Sequence, residues 1–257
     1  MLIDTHSHLD VAEFDADRDA VIARARSVGI RQQIVPAIEA ATWPTLRAVC
    51  ARAPGLHAAY GLHPVYLQSH RAAHLLDLRQ WIEREHPVAV GECGLDYFVD
   101  DPDPVAQGHL FDSQLRIARD FDLPVIVHAR RAVDAVITAI RRVGGLRGVV
   151  HSFPGSLQQA TQLSQAGFLL GVGGPVTYER ANRLRKLVAC MPLEWLLLET
   201  DSPDQPDSAL RGQRNEPARL TCIADTIASL RGCTPGDIAA VTSANAARLF
   251  RLLPPAR

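Results

Sequence analysis

The sequence predicts an α/β fold: a single (β/α)8 barrel over residues 1–257, with two closing helices at the C-terminal end. Three features predict it. Eight short apolar runs rich in β-branched residues recur along the chain, and amphipathic stretches with helical punctuation separate them. The runs start roughly twenty to thirty-five residues apart. Near-continuous apolar strands alternating with helices make a parallel sheet covered on both faces, and eight such units in this length suit a closed barrel. A doubly wound open sheet is the competing arrangement. It would place a Gly-x-Gly-x-x-Gly turn after the first strand, and none is there.

In chain order, "LIDTH" (2–6) is the first strand, and "DADRDAVIARARSVG" is the helix after it, ending on Gly29. "RQQIVPA" (31–37), "LHAAYGLHP" (56–64) and "VAVGECGLD" (88–96) follow as strands two to four. "PVIVHA" (124–129) and "GVVHSF" (148–153) are the fifth and sixth. "SLQQATQLSQAG" begins on a Ser cap and stops at Gly167, as a helix should. "FLLGVGG" (168–174) and "WLLLETD" (195–201) complete the set, and "EPARLTCIADTIASLRG" and "TPGDIAAVTSANAARLF" are the closing helices. Two connections read as long loops, "DYFVDDPDPVAQG" and "SPDQPDSALRGQRNEP". Loops of such length in a compact domain are often functional.

Bulk properties narrow the class. A net charge of −1, with 21% charged residues, argues against an electrostatic wrap along nucleic acid or a membrane surface, though not against a local basic site. Apolar runs stop far short of the roughly 20 residues of a membrane span, and the start "MLIDTHSHLD" lacks the basic segment of a signal peptide. Five scattered cysteines, never spaced as C-x-x-C, read as free thiols in a reducing cytoplasm. No obligate protein partner is evident. Lys186 is the only lysine, and it sits in the basic helical stretch "RANRLRKLVA". A strand-borne Schiff base or carbamylated lysine is therefore excluded.

The polar residues fall at the strand ends where a barrel keeps its chemistry: His6 and His8, His63, Glu92, His128, His151 and Asp201. Alternation points Asp4, His6 and His8 to one side. Two imidazoles side by side repel when charged and waste lone pairs when neutral, and a shared cation removes both problems. Taken alone, H-x-H reads equally well as a capped or core-satisfied pair. Seven such groups converging without a cation would form a costly desolvated cluster. Four imidazoles plus two carboxylates exceed one tetrahedral ion and suit two ions sharing a carboxylate. Nucleophilic catalysis is disfavoured, because no G-x-S-x-G occurs and Cys93 faces away from Glu92.

The motifs "DTHSHLD", "GLHP", "GECGLDYF", "PVIVHARR", "VVHSFPGS", "LLLETDSPD" and "GQRNEP" resemble, in order, those of the TatD family of metal-dependent deoxyribonucleases. "GSLQQA", "GVGGPVTYERA" and "GQRN" look most like its YjjV-type branch. The resemblance implies an amidohydrolase-superfamily barrel with two divalent ions; imidazole-rich ligation suits zinc, manganese or nickel, with magnesium as a weakly held activator. It implies that His6, His8 and Asp201 hold one metal, His128 and His151 the other, and Glu92 both. His63, Arg130 and Asn215 become contacts to substrate phosphate. The implied activity is phosphodiester hydrolysis of DNA by a metal-bridged hydroxide, with Asp201 and Glu92 catalytic. A net charge of −1 and few rim arginines predict stepwise, 3′-exonuclease-like trimming of single-stranded ends rather than tracking along the backbone. Two departures stand out: Cys93 in place of an aliphatic residue, and Pro154 in place of a small polar one.

Two other functions fit the same residues. A dinuclear esterase, lactonase or amidohydrolase would use the same centre on a small anionic substrate; arginines 130, 131, 211 and 214 favour an anion in either case. A nucleic-acid-binding scaffold without catalysis is the third, and the filled set of ligand positions speaks against it.

Overall fold

The computed structural model describes residues 1–253; positions 254–257 of the expected domain lie outside the described residues. Eight parallel strands pair in sequence order: β1 (Leu2–Asp4), β2 (Ile30–Pro36), β3 (Leu56–Tyr60), β4 (Ala89–Asp96), β5 (Val125–Arg130), β6 (Gly148–Val150), β7 (Phe168–Val172) and β8 (Leu196–Leu198). Seven helices connect them: α1 (Arg18–Ser27), α2 (Trp43–Cys50), α3 (Ala72–Glu85), α4 (Pro104–Asp120), α5 (Val133–Val143), α6 (Leu157–Gln165) and α7 (Asn182–Cys190). Then come α8 (Leu220–Arg231) and α9 (Pro235–Phe250). This is the expected (β/α)8 barrel.

The seam between β1 and β8 closes just beyond the paired strands. The Thr5 amide donates to Leu198 O at 3.0 Å, Asp201 N–H to His6 O at 2.8 Å, and His8 N–H to Ser202 O at 2.7 Å. Two of these three closing bonds run through the backbone of candidate ligands, His6, His8 and Asp201. The two terminal helices divide their work. α8 takes the eighth wall position against α7 and β8, whereas α9 closes the floor.

Burial explains the register. Ile3, Ile34, Ile126, Val149 and Leu197 point inward and meet Leu249 and Phe250 of α9. On the outer face, Val35, Val127 and Leu198 share a second cluster with Leu46, Phe111 and Ile223 from the helices. Each fully buried side chain of this size contributes roughly 1.5–3 kcal/mol of transfer free energy, so a one-residue slip of any strand is strongly disfavoured.

The first long loop is shorter than expected. Asp103 accepts from the amides of Val105 and Ala106, and Pro104 occupies the first helical position, so α4 starts inside "DPDPVAQG". The loop after β8 folds on itself through two single helical turns, Ser208–Leu210 and Pro217–Arg219.

Candidate metal centre

Glu92 stands mid-strand on β4, 1% exposed, and its two oxygens face different histidines. Oε2 lies 3.1 Å from His6 Nε2 and 3.5 Å from His8 Nε2. Oε1 lies 2.8 Å from His151 Nε2, 3.0 Å from His128 Nδ1 and 3.0 Å from His63 Nε2. Asp201, just past β8, turns Oδ1 to His6 and His8 at 3.4 and 3.6 Å. All six expected ligand residues therefore converge, with His63 beside them.

The far side of several rings decides which nitrogen is free. His8 Nδ1 sits 3.2 Å from Pro36 O, where only an N–H is favourable, so its Nε2 lone pair points into the centre. His128 donates from Nε2 to Asp96 Oδ2 at 2.9 Å, which leaves Nδ1 free toward Glu92. His63 is reversed. Its Nδ1 accepts from the Val65 amide at 3.2 Å, so the neutral ring carries its proton on Nε2 and donates to Glu92. That tautomer makes the ring a hydrogen-bond donor rather than a metal ligand.

The donor set fits cations. His6 Nε2 and His8 Nε2 approach to 3.2 Å, and His128 Nδ1 and His151 Nε2 to 3.2 Å. Each pair presents two nitrogens that only a proton or a metal ion can reconcile. His6–His8–Glu92 brings its ligand atoms within 4.8 Å of one another, and so does His6–His151–Glu199. Burial lowers His6 to about 4, helped by His151. For His8 and His151 burial acts downward too, but facing carboxylates outweigh it: Asp201 and Glu92 raise His8 to about 9, and chiefly Glu92 raises His151 to about 10. Burial would raise Asp201, yet His8, His151 and His6 hold it at about 2.

Several supporting residues had no sequence signal strong enough to single them out. Gln107 and Gln114, seven positions apart on α4, clamp both backbone groups of Asp96 and of Leu62, next to His63. Gln205 donates to Asp201 Oδ2 at 2.5 Å and accepts from Ser152 Oγ at 2.7 Å. Glu199 accepts from the Ser152 amide and lies 3.8 Å from His151 Nδ1, with burial pushing its carboxyl up to about 8. A side chain at Gly171 would collide with that carboxylate at 2.1 Å, which explains the glycine in "LLGVGG".

Three expectations need correction. Asp4 does not join His6 and His8: β1 ends at Asp4, and its oxygens are taken by the Thr200 amide and hydroxyl and by the His6 amide. Asn215 is fully buried, its amide donating to Thr200 O and Asp204 O and its oxygen accepting from Glu216 N–H. It ties the long loop to the end of β8 and does not line the pocket above the centre. Arg214 is paired with Asp17 on the outside of the barrel, and Arg211 does not line the pocket. Arg130 and Arg131 do: they border a cavity of about 760 Å³ above the centre, stacked on Phe98 at 3.8 and 4.3 Å.

A family model described as TatD related DNase matches residues 3–251. The chain belongs to the TatD family. The YjjV protein of Escherichia coli K12, named an uncharacterized metal-dependent hydrolase, is 42% identical over 253 residues, 97% of this chain and 98% of its own. The crystal structure of E. coli YjjV superposes with a TM-score of 0.93 at 41% identity, covering 98% of each chain. A 3′-5′ ssDNA/RNA exonuclease TatD from Erwinia tasmaniensis is 32% identical over 98% of this chain and all of its own. The expected family and the expected YjjV likeness both hold.

Proposed function

We propose that this TatD-family protein is a metal-dependent hydrolase that cleaves phosphodiester bonds at the ends of single-stranded DNA. The observation that carries the reading is the split of Glu92, with one oxygen facing His6 and His8 and the other His128 and His151. His6, His8 and Asp201 would hold one divalent ion, His128 and His151 a second, and Glu92 would join them. Zinc, manganese, nickel or more weakly held magnesium would supply Lewis-acid polarisation and a lowered pKa for water. Asp201 accepts the proton of the attacking water on its carboxylate, which Gln205 keeps in place. His63 carries its proton on Nε2, where it faces Glu92 at the edge of the pocket, and would turn that donor to a phosphate oxygen when substrate is bound. Arg130 and Arg131, exposed and stacked on Phe98, bring positive charge to the mouth of the pocket. The nuclease name of the Erwinia relative supports this substrate class.

A cytoplasmic setting suits the five free cysteines, and no helix among the described residues is long and apolar enough to cross a membrane. Metal-reconstituted protein assayed side by side on bis(4-nitrophenyl) phosphate, a lactone and a carboxylic ester tests the reaction class. Hydrolysis of the phosphodiester in preference to the other two is expected. Preference for the lactone or ester would overturn the reading in favour of a carbonyl hydrolase. End-labelled single-stranded DNA should be shortened stepwise while a circular single strand resists.

A further inference from the structure

Beside the metal pocket lies a second cavity, of about 390 Å³, that the reaction described above does not use. Ser152 and Pro154 line both, so the segment after β6 is the wall between them. The wall is firmly set. Ser152 is held at φ 43° with its amide on Glu199 and its hydroxyl on Gln205, and Gly155 lies so close to the Phe153 ring that an added Cβ would meet it at 2.2 Å.

The cavity has an apolar body and a cationic edge. Phe153, Pro154, Val172, Pro175 and Leu184 form its sides. Arg180 and Arg183, both exposed, stand at its edge around the start of α7. Neither forms an ion pair with a carboxylate among the described residues; Arg180 rests over Tyr178 at 5.4 Å. Apolar walls with a few polar groups at the edge are the make-up of small-molecule sites, and about 390 Å³ falls in their size range. Apolar walls admit a flat ring by shape and desolvation without reading its hydrogen-bonding edges, while arginines track an anionic backbone.

We propose that this cavity is a nucleobase subsite. It takes the base of the nucleotide adjoining the scissile phosphodiester, with Arg180 and Arg183 on the next phosphate. The assignment rests on the phosphodiesterase reading for its choice of occupant, and continuity across the Ser152–Pro154 wall connects the two cavities. A substrate spanning both would be positioned by its neighbour nucleotide as well as by the metals.

The test mixes metal-loaded protein with a single-stranded trinucleotide carrying 2-aminopurine at the penultimate position, and records fluorescence before product forms. Wild-type protein should change the 2-aminopurine signal saturably. Arg180→Glu with Arg183→Glu should weaken that binding by about tenfold or more, and Ala181→Trp, which fills the cavity, should remove the signal change. Unchanged metal content in each variant shows that the barrel remains folded. No fluorescence change with wild-type protein, or wild-type affinity in both variants, would overturn the subsite. Hydrolysis of bis(4-nitrophenyl) phosphate by wild-type protein tests the phosphodiesterase reading separately: its failure alongside a responding 2-aminopurine would leave a base-binding cavity standing and remove only the reaction.

Discussion

At the floor of the barrel, Leu249 and Phe250 of α9 pack against Ile3, Ile34 and Val149 in an apolar cluster. At the opposite rim, His6, Glu92, His151 and Asp201 are buried together within a few ångströms. Backbone strain divides the same way. Arg131, Ser152, Asp201 and Gln205 all hold positive φ at the rim, whereas His86 and Arg251 hold it as the caps that end α3 and α9. The floor spends its residues on stability; the rim tolerates buried charge and strained backbone for the sake of geometry, as functional sites do. One end should therefore be mutable at a cost in folding and the other at a cost in chemistry.

The largest effect should come from setting the two ends against each other. Asp201→Asn keeps the shape of the side chain but cannot accept the water's proton, and turnover should fall by roughly 10²–10⁴-fold with the fold intact. Phe250→Ala should cost about 3–5 kcal/mol of stability, while kcat of the folded, metal-loaded fraction stays near wild type. Thermal melts and kinetics on both variants check the pair. A slow Phe250→Ala enzyme, or an Asp201→Asn enzyme of near-normal rate, would break the division.

That division was only partly legible in the sequence. The floor and walls could be read because apolar periodicity is local: eight β-branched runs and their intervening helices sufficed. The six converging rim residues could be read because each lies in or just beyond an apolar strand run, although Glu92 and His128 stand within their strands rather than at the ends. Residues that hold them were hidden, since Gln107, Gln114 and Gln205 act across loops or from a neighbouring helix, and no spacing rule connects Gln114 with the backbone of Leu62. Asn215 shows the opposite failure. Its motif marked it as important, but an amide can bind phosphate or clamp a loop, and only burial distinguishes the two. The start of α4 was missed because Asp-Pro-Asp-Pro reads as a turn, and Asp103 becomes a cap only when the chain beyond it is helical.

A smaller effect tests the link between the two halves of the rim. Glu92→Gln removes a negative charge shared by both groups of histidines, so the more weakly held ion should dissociate first. Metal analysis after dialysis should fall from about two ions per chain to about one. Full metal content in that variant would show that Glu92 does not join the two positions.

The smallest effect is one of pH, and it sharpens the contrast because the floor cluster contains no titratable side chain. In the metal-free rim His8 titrates at about 9 and His151 at about 10, against an ordinary value of 6.5, so at pH 7 both carry protons. Those protons lie where ligand lone pairs are needed, and metal uptake must expel them. Uptake at pH 7 should release protons from His8 and His151, and from His128 to the extent that Asp96 and Glu92 raise it too, measurable with an indicator dye in weak buffer. Apparent affinity should climb with pH until about 9 to 10 and then level off. The same raised values stabilise the metal-free fold fully below pH 6.5 and lose that contribution as pH rises through 9 and 10. The metal-free melting temperature should therefore drop over that interval, while the decrement caused by Phe250→Ala should be the same at both ends of it. Metal uptake at pH 7 without proton release would mean that the histidines meet the ions already neutral, and that the rim is held in shape by something other than protonated imidazoles between its carboxylates.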